Sequence, residues 1–208
     1  MTASENRERF ASIPGNMPTG QSRKRYPIMA ILVFNVERMP TPVGELLVVT
    51  DGDGALRAID WTDHEARTRE LMRLQYAKDP VQLTAASGAA SEARKALEAY
   101  VAGDLKSLAT LAVRTGGTPF QREVWAALRT IPAGETRSYS ELAAQLNRPA
   151  AVRAVGMANG ANPISIVVPC HRVIGADRSL TGYGGGLPRK RWLLEHEGVR
   201  LVSPRRAA

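Results

Sequence analysis

The chain has 208 residues, 44% hydrophobic and 23% charged, with a formal net charge of +8, which is typical of a soluble protein with one large or two small domains. One cysteine excludes an internal disulfide and a cysteine-rich zinc site, and the three histidines show no metal-ligand spacing. Without a long apolar run or a secretory signal, we expect no membrane partner, no metal, no cofactor and a cytoplasmic location.

Charge is distributed unevenly along the chain. Residues 118–208 carry thirteen Lys or Arg and six Asp or Glu, whereas residues 29–117 carry ten and twelve. A basic half is the usual electrostatic signature of a polyanion partner, although basicity can also serve solubility alone. Residues 1–27 mix Ser, Asn, Gly, Pro and Arg without periodicity, which predicts a disordered basic tail.

Residues 28–103 have the pattern of a structural α/β domain that begins with strands. Three β-rich runs are separated by two stretches of turn residues, Thr41–Gly44 and Asp51–Gly54, which predicts an antiparallel meander. The predicted strands are Met29–Val36, Glu45–Thr50 and Ala55–Trp61.

Two helices are predicted after these strands. Thr62 and Glu65 have capping-box spacing, which predicts a helix from Thr62 to about Tyr76. Apolar residues recur on one face over Ser91–Ala102, which predicts a second helix. Because no catalytic groups gather within residues 28–103, we expect this domain to have a structural role.

The second half of the chain reads as mainly helical. Residues 104–117 end in two glycines and are the best candidate for a linker. A helix is predicted to begin at Thr118, where a capping box is followed by proline at the first helical position, and to end at Ile131–Pro132. The last helix is predicted over Pro188–Glu197. Residues 118–208 therefore form a second domain.

Two short helices joined by a tight turn lie inside this second domain. The first begins with capping-box spacing at Ser138 and Glu141, the turn is Asn147–Pro149, and the second helix spans Ala150–Gly160. This is the arrangement of a helix-turn-helix motif. The second helix is almost entirely small residues, with Arg153 as its one large cation. Such a face either packs closely within the domain or approaches a nucleic-acid groove with Arg153 protruding.

The stretch N-P-I-S-I-V-V-P-C-H-R-V combines an apolar run with reactive side chains. Ile164–Val168 has the composition of a short buried strand, which the following proline would end. Cys170, the only cysteine, comes next and is followed by His171 and Arg172. A free cysteine is most often a small buried hydrophobe, whereas neighbouring positive groups would lower its pKa and favour a nucleophile. The residues alone leave both interpretations open.

Two features near the C-terminus bear on this cysteine. The T-G-Y-G-G-G segment at residues 181–186 is either a flexible loop or a place where backbone N–H groups approach a ligand. Glu197 lies in the last turn of the final helix, where the helix dipole disfavours an anion. It therefore either frays into water or has a cationic partner, for which His171 is the obvious candidate.

Together these motifs resemble those of the O6-alkylguanine-DNA alkyltransferases, also called methylated-DNA–protein-cysteine methyltransferases. The resemblance rests on P-C-H-R-V, the upstream A-V-R-A-V-G-M-A-N-G-A-N-P, and the downstream T-G-Y-G-G-G and W-L-L-E-H-E-G. It is dense over Pro119–Gly198, weaker at T-P-V-G-E-L in the first domain, and absent from the tail. It implies an α+β fold, in which an N-terminal antiparallel-sheet domain, ribonuclease H-like, precedes a mainly helical domain with a helix-turn-helix.

The resemblance implies roles for the residues around the cysteine. Cys170 would accept the alkyl group, His171 would activate it as a base through a water, and Glu197 would orient the imidazole. Asn162 would hold the cysteine turn and the loop opposite it. The S-alkylcysteine product is a thioether without an easy exit, so the protein would repair DNA once and be spent.

Further implied roles concern damaged DNA. Tyr139 would donate to the flipped base, and backbone groups at Cys170, Val173 and Gly184 would read the guanine edge. Arg153 would enter the duplex where the extruded nucleotide had been, from the minor-groove side. Other DNA contacts are expected from the helix-turn-helix, namely at Ser140, Arg148, Ala154 and Gly156. The implied partner is double-stranded DNA carrying O6-alkylguanine, bound by a monomer; whether O4-alkylthymine is also repaired stays open.

The chain departs from the family pattern at two places, and two other functions fit parts of its sequence. Some relatives carry zinc in the first domain, for which this chain has no ligands, and some carry a hydroxyl side chain where Gly184 stands. One rival is a helix-turn-helix regulator whose cysteine is incidental. The other is a Cys-His hydrolase with an acyl substrate, which leaves the basic half and the small-residue helix unexplained.

Overall fold

The first part of the chain folds into a four-stranded sheet. The structure, a computed structural model, describes residues 31–77 and 79–201, so the prediction for residues 1–27 lies outside it. The sheet order is β3-β2-β1-β4, with antiparallel pairing of β1 to β2 and β2 to β3. The predicted meander is thus confirmed, while β4, parallel to β1, is an addition. The strands are β1 Leu32–Thr41, β2 Gly44–Thr50, β3 Leu56–Trp61 and β4 Val81–Ala85.

Turn chemistry fixes the register of this meander. Thr41 pairs with Gly44 across the first turn, and Gly44 has a φ of 126°, which favours glycine. In the second turn one oxygen of the Asp51 carboxylate accepts the N–H groups of Asp53 at 3.0 Å and Ala55 at 2.9 Å. Both predicted turns are therefore confirmed.

The helices of the first part differ in how they begin. Helix α1 spans Glu65–Gln75 and follows a 3₁₀ turn at Thr62–His64. Neither has a side-chain cap, so the predicted capping box is wrong: the 3₁₀ turn makes Glu65 the first α-helical residue, and its carboxylate binds Arg69 at 2.6 Å instead. Helix α2 spans Glu92–Val101, which confirms the predicted helix, and the Ser91 hydroxyl caps it by accepting the N–H of Arg94.

The second part contains four helices and a short parallel strand pair. Both predicted capping boxes are present, Thr118 with Gln121 at the start of α3 and Ser138 with Glu141 at the start of α4. A 3₁₀ turn and α5 follow α4, which confirms the helix-turn-helix arrangement. The bounds are α3 Pro119–Leu128, β5 Arg137–Ser138, α4 Tyr139–Gln145, the 3₁₀ turn Pro149–Ala151, α5 Val152–Gly160, β6 Val173–Ile174 and α6 Leu187–His196.

The apolar run before the cysteine is not a strand. Of the predicted strand Ile164–Val168, only Ile164 makes an isolated bridge, to Ile59 of β3, and Ile166 has a φ of 71° that breaks an extended chain. The segment turns back on itself, with the Val168 N–H bonded to the Ile164 carbonyl at 3.0 Å. A segment that is buried on all sides is a continuous apolar run whether it forms a strand or a turn. The composition of Ile164–Val168 therefore could not distinguish these two conformations.

One hydrophobic core joins the two parts of the molecule. It includes Ile59 of the sheet, Leu97 of α2, Leu128 of α3 and Leu193 of α6, all fully buried. The segment between α2 and α3 also packs against it, since Val113 bridges Leu56 of β3. A second, smaller cluster lies under α1 on the other side of the sheet. The predicted boundaries at residues 104–117 stay a prediction.

Candidate active site

Cys170 lies at the start of a buried 3₁₀ turn, Cys170–Arg172, between the turn described above and β6. It is 6% exposed. Burial raises the pKa of the thiol, whereas a hydrogen bond with the Asn162 amide and the positive charges of Arg67 and Lys190 lower it. Burial is the largest of these effects. The lowering expected from His171 and Arg172 is therefore not found, because burial dominates. The thiol is protonated at neutral pH and needs a base before it can act as a nucleophile.

His171 follows Cys170 directly in this turn and is the candidate for that base. Its ring is fully buried, and Nε2 lies 3.0 Å from Oε1 of Glu197. Burial lowers the pKa of His171, so the imidazole is neutral. Burial alone would raise the pKa of Glu197, but hydrogen bonds from His171 and Arg172 and the positive charge of Arg172 outweigh it and lower this pKa to about 2.

These protonation states fix the tautomer of His171. An ionised carboxylate only accepts, so Nε2 carries the proton and donates it to Glu197. Nδ1 then has a free lone pair, and within residues 31–77 and 79–201 this buried atom has no hydrogen-bond partner. A buried acceptor without a partner is costly unless water or a substrate group satisfies it. The imidazole can therefore take a proton at Nδ1.

Glu197 accepts hydrogen bonds from other side chains besides His171. Arg172 donates to both carboxylate oxygens, with Nε at 2.8 Å from Oε2 and Nη2 at 2.8 Å from Oε1. The hydroxyl of Tyr100, on α2 in the first part of the chain, donates to Oε1 at 2.8 Å. The interpretation that Glu197 frays into water is wrong, because its carboxylate is fully buried and paired. These partners offset the unfavourable helix dipole.

Asn162 holds the turn that leads to Cys170. Its Nδ2 donates to the carbonyl of Val168 at 2.8 Å, and its Oδ1 accepts the N–H of Ile164 at 3.0 Å. The residue is 1% exposed. Since this turn has no sheet ladder, the Asn162 amide supplies the hydrogen bonds that a buried backbone requires.

The glycine-rich segment, residues 181–186, is contacted by the side chains of Lys190 and Arg67. Lys190 is fully buried on α6 and donates to the carbonyls of Val173 at 2.6 Å and of Thr181. Burial lowers the pKa of Lys190 to about 8. The guanidinium of Arg67, on α1, occupies the space that a side chain at Gly184 would need. This close approach explains why glycine stands there.

Tyr139 connects this segment to the helix-turn-helix. It is the first residue of α4, and its ring would lie 3.8 Å from a β-carbon at Gly156 of α5. Its hydroxyl would lie 3.6 Å from a β-carbon at Gly182. Burial raises the pKa of Tyr139, and a thiolate at Cys170 would raise it further. Tyr139 therefore lies between α5 and the wall of the cysteine site and stays a donor.

The outer face of α5 carries the other predicted site residues. Arg153, Ala154 and Met157 are exposed there, while Gly156 is half-buried. Among the described residues Arg153 has no ion pair or side-chain hydrogen bond, whereas Arg148 binds Glu123 at 3.0 Å. Other predicted residues lie apart from this face: Ser140 is exposed on α4, Val173 is buried and directly follows the Cys170–Arg172 turn, and Gly184 is half-buried beside Arg67. The predicted residues thus divide into a buried or half-buried group and a mainly exposed group on the helix-turn-helix.

Two kinds of feature are missing from the described part of the chain. None of its helices is long and apolar enough to cross a membrane. It also contains no group of three or more His, Cys, Asp or Glu side chains arranged to hold a metal ion.

Comparison with known proteins identifies the family. Residues 119–199 match the family described as 6-O-methylguanine DNA methyltransferase, DNA binding domain. A methylated-DNA–protein-cysteine methyltransferase of Salmonella typhimurium is 53% identical over 166 residues, which cover 80% of this chain and 96% of the relative. The chain belongs to the methylated-DNA–protein-cysteine methyltransferases. The resemblance inferred from the P-C-H-R-V and glycine-rich motifs is confirmed.

Solved structures of related proteins agree with the fold of this methyltransferase. A crystal structure of Mycobacterium tuberculosis OGT in complex with DNA has a TM-score of 0.65 and 44% identity, covering 80% of this chain and 92% of that one. An O6-methylguanine-DNA methyltransferase from Pyrococcus kodakaraensis has a TM-score of 0.61 and 26% identity, covering 80% and 99%. The predicted α+β class, with an N-terminal sheet and a helical second part, is confirmed.

Several residues near Cys170 and Glu197 in the structure are absent from the sequence prediction. Lys190 had a usable signal, because it shares a helix face with Leu193, Leu194 and Glu197 at spacings of three, four and seven residues. Tyr100 and Arg67 had no such signal. They lie on helices of the first part, and only the folded chain brings them to the site.

Proposed function

We propose that this protein transfers an alkyl group from O6-alkylguanine in double-stranded DNA to Cys170. The observation that carries the proposal is the buried Cys170–His171–Glu197 arrangement, in which a neutral imidazole with a free Nδ1 follows the thiol directly in the chain. The names of the relatives support the reaction, and the DNA complex of Mycobacterium tuberculosis OGT supports DNA as partner.

The reaction begins with removal of the thiol proton. His171 takes this proton at Nδ1, through a water, and the imidazolium that forms is stabilised by the ionised Glu197. The thiolate then attacks the alkyl carbon, the S–C bond forms and the C–O6 bond breaks. The electron pair of that bond goes to the guanine, whose developing negative charge is stabilised by a hydrogen bond from Tyr139.

Base extrusion must precede this step, because the buried sulfur cannot reach a base inside a duplex. Arg153, exposed on α5, enters the stack in place of the flipped nucleotide and approaches from the minor-groove side. The small side chains at Ala154 and Gly156 let α5 lie close to the groove. Ser140 and Arg148 contact the phosphates, with the excess of basic residues over 118–208 providing non-specific attraction.

The extruded guanine is bound between Tyr139 and the glycine-rich segment. Backbone groups of Cys170, Val173 and Gly184 read its edge, and Asn162 keeps the cysteine turn rigid while they do so. The protein has two domains, residues 28–103 and residues 118–208.

The reaction is used once per molecule. S-alkylcysteine is a thioether without an acidic proton, and its sulfur is a poor leaving group, so the alkyl group stays on Cys170. The protein acts as a monomer in the cytoplasm, a reducing compartment in which a lone cysteine stays a thiol.

Intact-mass measurement after incubation with a duplex carrying one O6-methylguanine tests this proposal. We expect the wild-type protein to gain the mass of one methyl group, and Cys170→Ser to gain none while still binding the duplex. A wild-type protein of unchanged mass would contradict the proposal. Unchanged mass combined with tight, sequence-specific binding would favour the rival function of a DNA-binding regulator.

A further inference from the structure

A tyrosine from the first part of the chain contacts the carboxylate of Glu197, the residue proposed to orient His171. Tyr100 is fully buried near the end of α2, and its hydroxyl donates to Oε1 of Glu197 at 2.8 Å across 97 positions of sequence. Burial and the charge of Glu197 raise the pKa of Tyr100, so its hydroxyl keeps the proton and stays a donor. Nothing in the local sequence of α2 distinguishes this residue from the apolar residues of the same face.

We propose that Tyr100 is a positioning residue of the alkyl-transfer site, which holds Glu197 and limits how strongly that carboxylate activates His171. The proposal rests on the proposed function, because it assigns Tyr100 a part in the activation of Cys170 by His171. It also means that the first part of the chain contributes to the reaction rather than to stability alone.

The donors around the carboxylate give this contact its effect. Oε1 of Glu197 receives three hydrogen bonds, from Tyr100 at 2.8 Å, Arg172 at 2.8 Å and His171 at 3.0 Å, whereas Oε2 receives one from Arg172. Donors on one oxygen compete for its lone pairs and share its negative charge. Removing the Tyr100 hydroxyl leaves Oε1 a stronger acceptor for the Nε2–H of His171, which makes the imidazole a stronger base.

The surroundings of Tyr100 allow the hydroxyl to be tested without the ring. His196 of α6 donates to the Tyr100 carbonyl at 2.7 Å, and its ring lies edge-on to the Tyr100 ring at 5.0 Å. Both contacts persist when phenylalanine replaces tyrosine. Tyr100→Phe therefore changes one hydrogen bond to Glu197 and keeps the packing between α2 and α6.

The experiment measures how the alkylation rate of Cys170 by iodoacetamide depends on pH, without DNA. For Tyr100→Phe we expect the midpoint of the profile to move to lower pH by about half a unit, because a stronger base stabilises the thiolate. Glu197→Gln should move it to higher pH. Tyr76→Phe is the matched control: it removes a tyrosine hydroxyl from the same part of the chain, at a contact with Arg57 and the Arg114 carbonyl, and should leave the midpoint unchanged.

An unchanged midpoint in Tyr100→Phe, with Tyr76→Phe also unchanged, would overturn the proposal, since a merely structural tyrosine would alter stability and not the profile. If Tyr100→Phe does not fold, difluorotyrosine at position 100 replaces it. Its more acidic hydroxyl is a stronger donor, so the midpoint should rise, and no rise would again overturn the proposal. Failure of wild-type protein to demethylate DNA while these shifts occur would count against the proposed function and leave the positioning role standing.

Discussion

The two parts of this molecule contribute to the site in different ways. The helical part supplies residues that are close in sequence: Cys170, His171 and Arg172 are consecutive, and Glu197 follows within one further helix. The sheet-containing part supplies single side chains, Tyr100 from α2 and Arg67 from α1. A short motif can therefore reveal chemistry in the first case, whereas in the second only the packed core brings the residues to their partners.

The largest expected effect comes from Glu197→Gln in the helical part. The carboxyl pKa is about 2 in the folded protein against a usual value of 4.5. A lowered pKa contributes stability that is fully present above about pH 4.5 and is lost as the pH falls towards 2, amounting to about 3 kcal/mol. Urea unfolding should show Glu197→Gln destabilised by about this amount at pH 7.

The pH dependence of that difference sharpens the test. The gap between wild type and Glu197→Gln should narrow as the pH falls from about 4.5 to 2, because the wild-type carboxylate then becomes protonated. Glu195→Gln, an exposed change on the same helix, should show no such dependence. A gap that is constant with pH would mean that the ionised form of Glu197 is not what stabilises the site.

Arg153→Ala tests the exposed group of the helical part. Without the inserted side chain, the unstacking cost of a few kcal/mol is offset less, so transfer from duplex DNA should slow by about tenfold or more. Transfer from a single-stranded oligonucleotide, measured by gel assay of the remaining lesion, should change little. Arg191→Ala removes a comparable exposed cation from α6 and should leave both rates unaltered; equal slowing in the two variants would remove the special role of Arg153.

Arg67→Met tests the sheet-containing part. Arg67 binds the buried carboxylate of Asp60 and donates to the Gly160 carbonyl at 3.1 Å, so it joins β3, α1 and the end of α5. Leaving Asp60 without this partner should cost about 1–3 kcal/mol of stability in urea unfolding. It should also raise the pH midpoint of Cys170 alkylation, because a nearby positive charge is lost.

The matched control for that variant is Arg69→Met, two residues further along α1. Arg69 is exposed and pairs with Glu65 at spacing i, i+4, so its loss should change stability by less than about 0.5 kcal/mol. If both variants behave alike, the first part of the chain acts on the site only through the shared core.

The sequence predicted the contact between His171 and Glu197, which is present, but it did not predict the backbone conformation before Cys170. Cys170 and His171 were singled out by their residue types, and Glu197 by its unfavourable position at the end of a helix. The turn at Ile166 could not be inferred, since a left-handed conformation in an apolar run leaves no compositional mark. The hydrogen bonds of Asn162 decide that conformation, and they depend on residues up to six positions away.

Non-local pairing limited the prediction of the first part in the same way. Strand β4 pairs in parallel with β1, about fifty positions earlier, and its sequence V-Q-L-T-A is too short and polar to signal a strand alone. The position of Lys190 could have been predicted from its helix face, but its three carbonyl acceptors could not. Local patterns fix elements and caps, whereas partners across the core require the fold.

A titration with excess substrate tests the central claim most directly. A fixed amount of protein is mixed with increasing duplex that carries O6-methylguanine, and the lesions removed are counted while peptide mapping locates the added methyl group. We expect a plateau at one lesion per protein molecule, with the methyl group on Cys170. Removal of several lesions per molecule, or a methyl group on any other residue, would contradict it.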